Sequence, residues 1–77
     1  MSAKLIQPEM KPISSPAIQS IGYDKDHEIL YVQFHESGLY RYHNVSPKVY
    51  DELMSDRHHT RYYDENIRAK YKGEKMD

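Results

Sequence analysis

ILYVQFHESGLYRYHN, residues 29–44, decides the fold. Ile29 to His35 carries the β-branched and aromatic side chains of a strand, and Leu39 to Asn44 reads as its antiparallel return. Glu36-Ser37-Gly38 between them predicts a three-residue hairpin loop, with Gly38 taking the positive φ that closes it. Centring the hairpin on Ser37 sets Phe34 opposite Tyr40 and Val32 opposite Tyr42. Cross-strand partners share a face. Leu30, Val32, Phe34, Tyr40 and Tyr42 are then expected on the core side, and Tyr31, Gln33, His35, Leu39, Arg41 and His43 on the other.

Upstream, Ile18–Tyr23 reads as a first, weaker strand, and Asp24-Lys25-Asp26-His27 supplies turn formers. Downstream, Ser46 is a good N-cap and Pro47 has the φ favoured at the first helical position. Val49, Tyr50, Leu53 and Met54 recur at helical spacing to about Asp56. Arg57-His58-His59-Thr60 interrupts that pattern. Asp64 is expected to cap a shorter second helix in which Ile67 and Tyr71 lie one turn apart. Pro8, Pro12 and Pro16 punctuate a stretch with few bulky apolar groups, so residues 1–13 read as a flexible arm and 73–77 as a flexible tail. The expected fold class is therefore α+β: a three-stranded antiparallel meander followed by two helices packed on one face, all within residues 14–72.

Seventy-seven residues make one domain with a small core, for which eight Tyr and one Phe provide bulk. There is no Cys, which rules out disulfides, a thiolate zinc cage and a Cys nucleophile and points to a reducing, cytoplasmic setting. No run approaches the roughly 18 apolar residues of a membrane span, and the first residues lack the apolar stretch of a signal peptide. Net charge is −1, but residues 1–56 carry five basic and eight acidic groups, whereas 57–77 carry six basic and four acidic. Any nucleic-acid contact must then come from a local patch rather than a global field.

Several fragments, in order, resemble the KTSC domain. They are Ser14-Ser15, Ile21-Gly22-Tyr23-Asp24, Leu30-x-Val32-x-Phe34, Gly38-x-Tyr40-x-Tyr42, Val45-x-Pro47-x-x-Tyr50-x-x-Leu53, and Tyr62-Tyr63 with Ile67-Arg68-x-x-Tyr71. The chain departs from the family at His58-His59-Thr60, where a small Ser-x-Gly turn is usual, and at Tyr63 and Asp64, where Phe and Asn are. The domain takes its name from the C-terminus of some lysyl-tRNA synthetases and also occurs as free-standing small proteins. The resemblance implies a non-enzymatic accessory module that binds RNA, such as tRNA or another structured RNA.

Two surfaces are candidates for binding. Arg61, Tyr62, Arg68, Lys70, Tyr71 and Lys72 interleave cations with rings, which suits phosphates and stacked bases. Tyr31, Gln33, Arg41 and His43 would gather a ring, an amide and a cation on the open sheet face, which suits a protein partner as the alternative. Arg68 is also a candidate for a structural ion pair with Asp24 or Asp51. Metal is not expected: His35 and His43 would lie on the order of 13 Å apart at about 3.3 Å per residue, and adjacent His58 and His59 diverge on a helix. No cofactor is expected either. Without a Gly-rich phosphate loop, a nucleophile elbow or paired carboxylates in a cleft, no catalytic residues are assigned.

Overall fold

A computed structural model describes residues 8–76. Its elements are β1 (Lys11–Pro12), β2 (Ile18–Asp24), β3 (Ile29–Phe34), β4 (Gly38–Tyr42), α1 (Pro47–Ser55), α2 (His59–Tyr63), a π-helical turn (Asp64–Arg68) and β5 (Gly73–Lys75). The five strands form one antiparallel sheet in the order β1-β2-β3-β4-β5. The expected meander is its centre. Lys11–Pro12, read as part of the arm, adds one edge, and Gly73–Lys75, read as tail, adds the other. The rest of the arm, residues 1–7, and Asp77 lie outside the described residues.

Both faces of β3 are covered, so Ile29, Leu30, Tyr31 and Val32 are buried in succession. Strands buried on both sides lose the alternation that marks a half-exposed one. The main core joins Ile18, Ile21, Leu30, Val32 and Tyr42 of the sheet to Val45, Leu53, Tyr63 and Ile67 of the helical half. Ile18 and Ile21 are three apart yet both fully buried, because the register shifts between Ile18 and Ser20 and turns Ile18 inward.

The β3–β4 hairpin differs from expectation by two residues. Phe34 pairs with Gly38, Val32 with Tyr40 and Leu30 with Tyr42, so the loop is His35-Glu36-Ser37. Gly38 does take a positive φ, 98°, but as the first residue of β4 rather than the last of the loop. A shift of two keeps parity, and the expected core face stands.

On the second face the expectation fails at Tyr31, which is 4% exposed. Its strand partner is Gly22, and the chain at Pro8–Met10 lies directly over that glycine. A Cβ on Gly22 would meet Met10 Sδ at 2.6 Å and the Glu9 carbonyl oxygen at 3.0 Å. The missing side chain is what lets the arm cross the sheet there.

Ser46 caps α1 as expected, its Oγ accepting from Val49 N–H at 3.4 Å, with Pro47 at the first helical position. The second helix starts earlier than expected, at His59. The His58-His59-Thr60 stretch holds that start in place. His58 N–H donates to Asp56 Oδ1 (2.8 Å), the His59 Nδ1–H donates to the Leu53 carbonyl (2.8 Å), and Thr60 shares a hydrogen bond with Ser15 across the chain (2.6 Å). Asp64 is consequently inside the helical segment rather than at its cap, and Tyr63 joins Ile67 in the core one turn apart. After Tyr63 the hydrogen bonding widens to i→i+5, and Asp64 pairs with Arg68 on the outer side.

Candidate nucleic-acid interface

The cations singled out from the sequence divide into paired and unpaired groups. Arg68 Nε lies 3.2 Å from Asp64 Oδ1 and Arg61 Nε 3.7 Å from Glu65 Oε2. Both pairs sit at i,i+4 on the exposed side of the segment, the spacing at which opposite charges meet on a helix. Arg68 thus pairs with Asp64 and not with Asp24, which instead accepts from His27 at 2.8 Å. Tyr62 is also engaged: its hydroxyl donates to Glu52 Oε1 at 2.7 Å, and partial burial together with that carboxylate pushes its pKa up to about 12. Three of the six expected contact residues are therefore already partnered within the fold.

Lys70, Tyr71 and Lys72 behave differently. Among the described residues neither lysine has an ion pair. Both are exposed and they flank the half-buried Tyr71, whose backbone N–H closes the helical segment on the Ile67 carbonyl at 2.8 Å. These three residues line an open groove of about 510 Å³ together with His43 and Asn44.

The outer sheet face brings Tyr31 opposite Arg41, its strand partner, but the side chains of this face are taken up within the fold. Tyr31 is buried, so it presents no ring to a partner. Arg41 Nε reaches Glu74 Oε1 of β5 at 2.5 Å, and His43 Nε2 lies 3.3 Å from the same oxygen. Glu74 is held below the usual carboxylate range, first by the Arg41 hydrogen bond and then by that of His43, while Arg41 is raised by the same contact. Gln33 turns back to the Phe34 carbonyl at 3.2 Å. Among the described residues, no cluster of three or more His, Asp or Glu side chains is placed to hold a metal ion, and no helix is long and apolar enough to cross a membrane.

Arg68, expected against Asp24 or Asp51, pairs with Asp64 instead; that pair and Arg61–Glu65 were missed in the sequence, where the i,i+4 spacing was the available signal. Glu74 gave no such signal, because it meets Arg41 only through the return of β5 to the sheet. Also missed was a second open groove, of about 510 Å³, on the other side of Tyr71 and Gly73. Its walls are Phe34, Tyr40, Tyr42, Tyr63 and Tyr71, with Arg68 at the rim. Gly73 makes this wall possible: a Cβ there would stand 2.7 Å from Cε2 of Tyr42.

Fold and surface together define a small α+β domain whose sheet is covered by helices on one face and carries an aromatic and cationic rim where the last helical turn returns to the sheet. The chain belongs to the KTSC domain family, whose model matches residues 14–71. The crystal structure of a KTSC domain protein from Yersinia pestis superposes with a TM-score of 0.87 at 36% identity, covering 90% of this chain and 97% of that one. A protein from Tsukamurella paurometabola is 39% identical over 46 residues, 60% of this chain and 69% of its own length. One from Stutzerimonas stutzeri is 40% identical over 42 residues, 54% of this chain and 59% of its own length, so the match spans less than two thirds of that relative.

Proposed function

We propose that the protein is a non-enzymatic RNA-binding module that grips the phosphate backbone through Lys70 and Lys72. The observation that carries this reading is the contrast among the C-terminal cations. Arg61 and Arg68 are paired with carboxylates, whereas Arg57, Lys70, Lys72 and Lys75 have no ion pair among the described residues, and of these four Lys70 and Lys72 stand on either side of a half-buried ring in an open groove. Unpaired cations pay no cost of breaking a fold contact when they meet phosphate, and releasing the condensed counterions favours binding. The competing reading, a protein-docking face on the outer sheet, loses its aromatic anchor with the burial of Tyr31.

Titration with tRNA and with single-stranded RNA at several salt concentrations tests the proposal. Affinity should fall with salt with a log–log slope of about −0.7 per single-strand phosphate contact. The double variant Lys70→Gln/Lys72→Gln should flatten that slope by about 1.4, and Arg61→Gln should leave it nearly unchanged. No binding tighter than about 100 μM at low salt would overturn the proposal, since even non-specific binders reach 10⁻⁴–10⁻⁶ M at physiological salt.

A further inference from the structure

Tyr71 and Gly73 belong to both open grooves, and the two grooves differ in which side chains line them. On one side of this ridge stand Lys70 and Lys72 with the polar His43 and Asn44 and with Glu74, whose carboxylate is engaged by Arg41 and His43. On the other, rings dominate. Phe34 meets Tyr40 edge-on at 5.6 Å between centroids and Tyr63 at 5.3 Å, and Tyr63 meets Tyr42 at 5.8 Å. Tyr42 and Tyr63 are locked into the core, but Tyr40 and Tyr71 are only half buried and face the open volume.

We infer that the aromatic groove is a pocket for one unpaired nucleobase, with the adjoining phosphates held across the ridge by Lys70 and Lys72. This deepens the RNA reading and rests on it. The groove supplies what a flipped-out base needs. The half-buried Tyr40 and Tyr71 provide ring surface for stacking, which accepts any base because every base has a π-face. The Arg68–Asp64 pair at the rim provides polar groups for base edges. Only one Arg68 nitrogen, Nε, is engaged with Asp64 at 3.2 Å, and a guanidinium carries five N–H donors. The volume falls within the roughly 300–1,000 Å³ of small-molecule sites. Recognition of single-stranded RNA through splayed bases on aromatic side chains follows the same chemistry. Placing base and phosphate on opposite sides of one residue, Tyr71, requires only that the nucleotide straddle it.

The deciding experiment compares two ligands on the unaltered protein: oligo(rA) eight nucleotides long, and an abasic ribose-phosphate oligomer of the same length. The base pocket predicts that oligo(rA) binds roughly five- to 150-fold tighter, the range expected for stacking one base on aromatic side chains. A 2-aminopurine placed within the oligo(rA) should change fluorescence on binding, and Tyr40→Leu should abolish both the change and the preference while keeping the salt slope. Equal affinity for the two oligomers overturns the base pocket and leaves backbone recognition standing. Binding of neither overturns both. A preference that survives Tyr40→Leu also overturns the assignment, because the base would then be held elsewhere.

Discussion

The hydroxyls of Tyr42 and Tyr63 are hydrogen-bonded to each other inside the core, one ring from β4 and one from α2. The rings meet edge to face, with centroids 5.8 Å apart and planes at 73°. The bond gives each buried hydroxyl a partner and so ties the helical half to the sheet with direction as well as bulk.

Removing one hydroxyl should cost more than removing both. Tyr63→Phe leaves the Tyr42 oxygen buried without its partner and is expected to destabilise by about 1–3 kcal/mol. The double variant Tyr42→Phe/Tyr63→Phe should recover most of that loss, because neither polar atom is then stranded. Urea midpoints for the four proteins read the coupling directly, and strictly additive losses would mean that the bond contributes nothing.

Alkaline conditions should unfold the protein through the same pair. Burial raises the pKa of both phenols above the ordinary value near 10. Because the folded values are the raised ones, their stabilisation is complete below pH 10 and is lost as pH rises from there. Each group should contribute a slope of up to about 1.4 kcal/mol per pH unit in that window. Thermal melts between pH 9 and 11.5 should fall more steeply for the unaltered protein than for the double Phe variant; parallel curves would contradict the assignment.

Gly22 and the chain crossing it should be coupled. Gly22→Ala places a methyl where Met10 Sδ and the Glu9 carbonyl sit, and overpacking of this kind costs about 1–3 kcal/mol. In a chain shortened by residues 1–10 the same substitution should be nearly neutral. Chemical denaturation of the two pairs measures this. An equal cost in both backgrounds would place the clash within the sheet itself.

Tyr31 and Tyr42 lie on opposite faces of the sheet, yet truncation should be costly at both. They are 4% and 3% exposed, so each alanine variant should lose on the order of 3 kcal/mol, as large aromatic truncations do. A small loss at Tyr31 alone would show that its cover opens readily in solution.

What the sequence by itself determined is whatever depends on near neighbours. The hairpin with its positive-φ Gly38, the Ser46-Pro47 start of α1, and the division of β3 and β4 into faces all follow from turn chemistry, capping and a side-chain period of two, and parity survives even a two-residue error in register. The ordered fragments from Ser14 to Tyr71 carried the family in the same way. The tertiary structure alone decided which segments join the sheet and which surfaces remain available. Lys11–Pro12 and Gly73–Lys75 are too short and too polar to show a strand pattern, and they become strands because β2 and β4 offer unpaired edges. Their arrival changes the outer face: the chain beside β1 crosses Gly22, the strand partner of the buried Tyr31, and Glu74 engages Arg41 and His43. The aromatic groove likewise gathers Phe34, Tyr40, Tyr63 and Tyr71 from three parts of the chain. Local spacing carries no record of such contacts, because their geometry exists only once the helices have packed and the chain has returned to the sheet.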